Sequence, residues 1–389
     1  MQQLLQKIKG DRVIWSVVLV LSLFSLLAVY SATGSLAWRN DKSSGFYLIK
    51  QLFFLGAGLV IIFLIHRINY TRFARFAVVL FLLSVPLLLY TLLFGSNINQ
   101  ANRWITLPVL NITFQTSDLA KLAIFTFLAR QLSRNQHVIK DFKKGFLPVL
   151  VPVLLVCGLI APANLSTALL LGATCCILFF IGRVAGKHIA LLAGVGIIGV
   201  FSIFFISKTL NIGRGATWQK RIENFIGTGA TEKDADSNYQ ITQAKIAIAN
   251  GKLTGLGPGN SQTRDFLPES FSDFIFSIII EEYGLLGGIV IVGLYLLFLW
   301  RSILIFQRCP YAFGAFLAVG LSFTLVFQAL INMAVNVGLV PVTGLTLPLV
   351  SMGGSSIWFN SIAIGIILSV SRYVDEMEGA SFNLNTAQH

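Results

Sequence analysis

Ten apolar runs dominate this chain, at about 13–34, 46–66, 75–95, 115–133, 145–162, 165–182, 188–208, 273–300, 311–334 and 350–371. Each is close to the roughly 20 residues a helix needs to cross a bilayer. Only 12% of residues are charged, against about 25% in a soluble domain. The pattern predicts an all-α integral membrane protein of ten transmembrane helices, folded as a single polytopic domain over 1–389. No cleavable leader is expected, because the first run is too long for the apolar stretch of a signal peptide.

Basic residues orient the bundle. With the N-terminus cytoplasmic, the inner loops and span ends hold Lys7, Lys9, Arg67, Arg72, Lys140, Lys143, Lys144 and Arg301, among others. The short outer loops hold only Arg39, Lys42 and Arg103. Positive charge marks the cytoplasmic side, so both termini are expected inside a cytoplasmic (inner) membrane. The same rule accounts for the formal net charge of +13, and no nucleic-acid partner is implied. The largest polar segment, about 209–272, is then an extracytoplasmic loop between spans 7 and 8. Within it Tyr239–Asn250 places Ile241, Ala244, Lys245 and Ile248 on one face, predicting an amphipathic helix on the membrane or the bundle. Met1–Arg12 reads as a second interfacial helix, and the tail after Arg372 as a solvated end. Cys157, Cys175, Cys176 and Cys309 have no metal-site spacing.

Ionisable groups at membrane depth point to function. Asp118 and Lys121 lie three residues apart at the outer end of span 4, so they share a helix face and can pair. Such a pair either fixes the helix or lines a substrate groove. Glu281 and Glu282 lie inside span 8 and read as hydrogen-bonded structural acids or as functional ones. Arg103 and Trp104 in the first sizeable outer loop read as a phosphate contact or as a headgroup-level anchor. The glycines of Gly255-Leu-Gly-Pro-Gly-Asn-Ser261 lack the Lys-Ser/Thr of a nucleotide loop. They form either a nest of N–H groups for a pyrophosphate or a plain turn. Asp265, Glu269 and Asp273 then follow at the mouth of span 8. Clustered carboxylates repel one another, which can raise one of them toward the range of a general base. Residues 336–356, rich in Pro, Gly and hydroxyls, predict a bent, re-entrant segment.

Seven motifs in order carry a family resemblance: Ala101-Asn-Arg-Trp104; Phe114-Gln-Thr-Ser-Asp-Leu-Ala-Lys121; Ala163-Asn-Leu-Ser-Thr-Ala168; Tyr239-Gln240 with Ala247-Ile-Ala-Asn-Gly251; Gly255-Leu-Gly-Pro-Gly-Asn-Ser261; Phe266-Leu-Pro-Glu-Ser-Phe-Ser-Asp-Phe-Ile-Phe276 with Glu281-Glu-Tyr-Gly284; and Pro341-Val-Thr-Gly-Leu-Thr-Leu-Pro-Leu-Val-Ser-Met-Gly-Gly-Ser-Ser356. Over nearly its whole length the chain resembles the SEDS family (shape, elongation, division, sporulation) of peptidoglycan polymerases, which includes FtsW and RodA. Two positions depart from the family pattern: Asp118 replaces a longer acid, and Asn164 replaces an Asp. Leu345-Thr-Leu-Pro348 is similar to the division type, whereas Val342-Thr-Gly344 is closer to the elongation type. The division type is the expectation.

The resemblance implies a glycosyltransferase that polymerises lipid II outside the cytoplasmic membrane, with Asp273 as the catalytic base. It implies substrate contacts from Arg103, Lys121, Arg221, Glu269 and Ser355, supported by Gln115, Asp118, Asp265, Glu281 and Glu282. No metal motif is readable; Mg2+ or Mn2+ is the candidate ion and no cofactor is otherwise implied. The implied partners are a class B penicillin-binding protein transpeptidase, other division proteins and membrane lipid. A lipid II flippase is the rival function, motivated by the ten spans and the buried charges.

Overall fold

In hydrocarbon every backbone N–H and C=O must be paired within its own segment, so apolar runs of this length become helices. The computed structural model describes residues 9–98, 101–107, 112–210, 221 and 235–386. Its helices, in chain order, are α1 (Arg12–Ala32), α2 (Gly34–Arg39), α3 (Ser44–Ile65), α4 (Thr71–Phe94), α5 (Thr116–Arg134) and α6 (Leu147–Ile160). They continue with α7 (Leu165–Ile181), α8 (Gly186–Leu210), α9 (Ala235–Gly251), α10 (Ile275–Arg308), α11 (Ala312–Asn336) and α12 (Ser355–Thr386). Among the described residues, seven helices are long and apolar enough to cross a membrane. The remaining expected spans correspond to α5, α7 and α8, of which α7 is a shorter apolar helix. Buried on nearly every turn, α5 packs against α4 and α11, which explains how it carries Asp118 and Lys121. The other inner helix, α11, is 78% buried across its apolar window.

The bundle is not purely helical. Between α4 and α5 the chain forms a three-stranded antiparallel sheet, β1 (Ser96–Ile98), β2 (Ala101–Leu107) and β3 (Ile112–Gln115). The segment expected as a simple outer loop therefore pairs its backbone with itself, setting Trp104 opposite Gln115 and Ile105 opposite Phe114. Beyond Arg372, α12 continues as helix to Thr386, and residues 375–378 are exposed, in keeping with the solvated end expected there. Residues 1–8, most of the expected N-terminal interfacial helix, lie outside the described residues.

The start of α1 and the later part of α10 are tied together by charge. Asp11 caps α1 by accepting from the N–H groups of Val13 and Ile14 at 2.8 and 3.1 Å. Its other oxygen accepts from Arg301 Nε at 2.7 Å, joining α1 to the C-terminal part of α10. At the other end of α10, α9 lies along the helix. Ala244 and Ala247 are buried there, with Ile241 and Ile248 partly buried. The expected amphipathic face is present, but Lys245 leaves it and runs past Gly338.

At 34 residues, α10 is too long to be one unbroken span, and it breaks at Gly284 (φ 71°, ψ −175°). The glycine-rich loop repairs the break. The N–H groups of Leu256 and Gly257 donate to the carbonyls of Glu281 and Glu282 at 2.9 and 3.0 Å. In return Leu285 N–H donates to Lys252 O at 2.9 Å. The approach is so close that a Cβ on Gly255 would lie 2.1 Å from Glu282 O, and one on Gly284 2.2 Å from Leu253 O. These glycines are thus required by backbone-to-backbone contact. The N–H groups of Leu256 and Gly257 already have partners, which removes them from any pyrophosphate nest.

Candidate active site

Where the expected re-entrant segment meets the loop before α10, the protein encloses a cavity of about 760 Å3. That is within the usual size of a ligand site. The 337–354 segment between α11 and α12 is non-helical, and Leu345, Leu347, Leu349, Val350 and Ser351 on it are buried. Its carbonyls are matched by side chains: Tyr295 Oη donates to Pro348 O, and Ser25 Oγ donates to Val350 O at 2.8 Å. Irregular backbone is tolerated at this depth because protein partners surround it.

Seven of the expected site residues line this cavity: Gln115, Asp118, Lys121, Arg221, Glu269, Asp273 and Ser355. Three do not, namely Asp265, Glu281 and Glu282. Arg103 lies on β2 by its backbone, and its side chain is outside the described part. Asp273 sits just before α10; its N–H donates to Glu269 O at 3.1 Å and its Oδ1 accepts from Ser272 Oγ at 2.9 Å. Burial, and then the negative charge of Asp273, raise the Glu269 pKa above the ordinary carboxylate range. Solvent still reaches Glu269, by way of the cavity.

The cationic part of the site is built on α5. Lys121 Nζ lies 2.8 Å from Asp118 Oδ1 and donates to Gln328 Oε1 at 2.9 Å, with both charges buried. The expected pair is formed, and it lines the cavity as well. An ammonium has three N–H donors, and among the described residues two are engaged, by Asp118 and Gln328. Arg221 donates from Nη1 to Val342 O at 2.9 Å, which brings it to the same cavity. Gln115 ends β3 and donates to Ser117 Oγ at 2.9 Å. Ser355 Oγ is buried against the cavity and has no hydrogen-bond partner among the described residues. Asn164, where the family has an acid, caps α7 by accepting from Thr167 N–H at 3.3 Å.

Asp265 is exposed, 3.9 Å from Arg264 Nε, and stands outside the expected acid cluster. Glu281 and Glu282 are engaged by the protein itself. The Glu281 carboxylate accepts from Ser261 Oγ, from Thr263 Oγ1 at 2.7 Å, and from the N–H groups of Gln262 and Thr263. Glu282 accepts from Ser31 Oγ. Together they fasten the glycine loop to α10 and α1.

Two features were missed in the sequence. Lys50 on α3 lines the cavity. Gln328, Asn332 and Asn336 form a carboxamide face on α11 whose four-residue spacing was readable in an otherwise apolar run. As for metals, Glu269 and Asp273 present two hard oxygen donors to one cavity, a set that suits Mg2+ or Mn2+ with water and phosphate oxygens completing the shell. No group of three His, Cys, Asp or Glu ligands occurs among the described residues.

A helical, polytopic membrane protein with a polar cavity between an acid-tipped loop and a buried cation is the class that fold and site define. Within it, the chain belongs to the FtsW, RodA and SpoVE family of cell cycle proteins, whose model matches residues 11–376. It is 35% identical over 374 residues to stage V sporulation protein E of Bacillus subtilis, covering 95% of this chain and 98% of that one. It is 34% identical to the probable peptidoglycan glycosyltransferase FtsW of Trichlorobacter lovleyi, covering 93% of each. A chain solved in work on structural coordination of polymerization and crosslinking by a peptidoglycan synthase complex superposes with TM-score 0.73 at 26% identity, covering 93% of this chain and 98% of that one.

Proposed function

We propose that this protein is a peptidoglycan glycosyltransferase that polymerises lipid II at the outer face of the cytoplasmic membrane, with both termini inside and the 209–272 segment outside. One observation carries the assignment of roles: a single cavity holds the Asp273 carboxylate and the buried Lys121 ammonium. Glycosyl transfer with a pyrophosphate leaving group needs a proton acceptor at the attacking hydroxyl and positive charge at the departing phosphate. Asp273 takes the proton of the acceptor hydroxyl. That oxygen bonds to the anomeric carbon of the donor sugar while the bond from this carbon to the pyrophosphate oxygen breaks. The electron pair leaves with undecaprenyl pyrophosphate, whose charge Lys121 and Arg221 stabilise. A Mg2+ or Mn2+ held by Glu269 and Asp273 would add further positive charge at the pyrophosphate.

A role in cell division is supported by relatives named FtsW. A transpeptidase of class B penicillin-binding type is the proposed partner, since a structural relative comes from a complex that couples polymerization to crosslinking. Other division proteins would join it. The test is to purify the protein, alone and with the transpeptidase, and to supply lipid II. Glycan strands are expected from the wild type, and their yield should collapse in Asp273→Ala. Strands made equally well by Asp273→Ala would remove Asp273 from the chemistry.

A further inference from the structure

Gln328, Asn332 and Asn336 recur every four residues along α11 and so share one face. Carboxamides inside an apolar span are costly unless bonded. All three are buried, at 4%, 1% and 0% exposure, and all three are bonded. Gln328 accepts from Lys121 Nζ at 2.9 Å and donates from Nε2 to Thr346 O at 2.9 Å. Asn332 Nδ2 donates to Leu345 O at 2.7 Å and to Asp273 O at 2.8 Å. Asn336 Nδ2 donates to the same Asp273 carbonyl at 3.0 Å, while its Oδ1 accepts from Ser277 Oγ at 2.6 Å.

One helix face therefore holds the cation, the re-entrant segment and the acid. The two segments meeting there are strained. Glu269 and Leu349 adopt left-handed backbone, with φ of 56° and 63°. A side chain in that region costs on the order of 1–2 kcal/mol and persists only where the surroundings fix it. The carboxamides supply part of that fixing, together with Met352 N–H donating to Phe271 O at 3.0 Å and Ser351 Oγ donating to Ser272 O.

We infer that the Gln328–Asn332–Asn336 face is a positioning device for glycosyl transfer. Asn332 and Asn336 fix Asp273 through its own carbonyl, which sets the direction in which the carboxylate leaves the backbone. Gln328 fixes Lys121. Because all three stand on one rigid helix, α11 sets the separation between base and leaving-group cation. This rests on the roles proposed above for Asp273 and Lys121, and it assigns positioning residues rather than catalytic ones.

The experiment compares Asn332→Ala, Asn332→Gln, Gln328→Ala and Asp273→Ala in the full chain with its transpeptidase, measuring lipid II polymerisation against lipid II concentration and thermal melting. Misplacing a reacting group by about 1 Å costs up to roughly a hundredfold in rate. Asn332→Ala should therefore lower kcat by about ten- to a hundredfold with KM within about threefold. Asn332→Gln keeps the donor and should recover part of the loss. Gln328→Ala loosens the cation at the leaving group and should likewise lower kcat, since that charge develops in the transition state. Wild-type kcat in folded Asn332→Ala, with Asp273→Ala inactive, overturns the inference alone. Full activity in Asp273→Ala overturns the roles on which it rests. Losses in kcat and KM that simply follow melting temperature, with Gln no better than Ala, reduce the face to a structural part and also overturn it. If Asn332→Ala does not fold, Asn332→Gln decides: lowered kcat at unchanged KM supports the inference, and unchanged kcat overturns it.

Discussion

Glu269 and Asp273 stand only eight to thirteen positions before Glu281 and Glu282, yet the two acid pairs have opposite surroundings. The later pair lies inside α10, at 0% and 1% exposure, and takes donors from the glycine loop and from Ser31. The earlier pair faces the cavity beside Lys121 and Arg221. A carboxylate that takes several donors from the protein is held in place, which makes it a fastener. A carboxylate open to a ligand cavity, with a second acid beside it, retains the capacity to take a proton. Position along the chain therefore does not separate the two pairs; whether the carboxylates face the cavity does.

The sharpest way to break this comparison is to neutralise one acid of each pair. Asp273→Asn keeps size and removes the proton acceptor. General base catalysis contributes about 10²–10⁴-fold, so polymerisation should fall by that order while the melting temperature holds. Glu281→Ala should do the reverse. It strands the donors of Ser261, Thr263 and Gln262, and each donor left unsatisfied in a buried site costs about 1–3 kcal/mol. Melting of the purified protein should show a large loss of stability, with residual activity proportional to the folded fraction. An Asp273→Asn variant that loses stability, or a fully stable Glu281→Ala, would erase the distinction between the pairs.

A smaller effect is expected at Ser261, one of the donors to Glu281. Ser261→Ala removes the buried bond to Glu281 and the one that Ser261 Oγ accepts from Arg264 N–H at 3.2 Å, while the carboxylate keeps Thr263 Oγ1 at 2.7 Å. A bond to a charged group contributes about 1.5–3 kcal/mol, and the remaining donors should hold the loss near the lower end. Protease cleavage in the 251–265 loop measures it, because a loosened loop is cut faster. Cleavage at the wild-type rate would mean that the backbone bonds to Glu281 O and Glu282 O hold the loop by themselves.

Much of this arrangement was legible in the chain because apolar length and residue spacing act locally. The spans follow from hydropathy, and the Asp118–Lys121 contact follows from its three-residue offset on a helix. What was not legible depends on contacts distant in sequence. Nothing near Gly255 announces that its neighbours' N–H groups meet the carbonyls of a helix broken at Gly284, because that pairing is made by the return of the chain. Asp265 appeared to belong with Glu269 and Asp273, but a short turn at Thr263–Asp265 directs it toward Arg264. The sheet before α5 was hidden because its strands are short and mixed in character, so neither period was visible. The carboxamide face of α11 was visible as a pattern, but its partners, Lys121 and Asp273, are 207 and 59 residues away.

The finest test of the difference between the pairs is the pH dependence of Glu269. Burial and the charge of Asp273 disfavour its ionised form, so the folded protein holds the Glu269 proton to higher pH than the unfolded chain does. Proton binding then favours folding. The contribution is complete below the ordinary carboxylate range and is lost as pH rises through the raised pKa of Glu269. Glutamine stays neutral throughout. Glu269→Gln should therefore match the wild type in acid and exceed it at neutral pH, by less than about 1 kcal/mol because Glu269 opens to solvent. Melting curves on both sides of that window measure the difference. A neutral-pH loss of stability in Glu269→Gln would show instead that donors from the protein hold the Glu269 carboxylate as they hold that of Glu281, and the cavity acids would then be fasteners too.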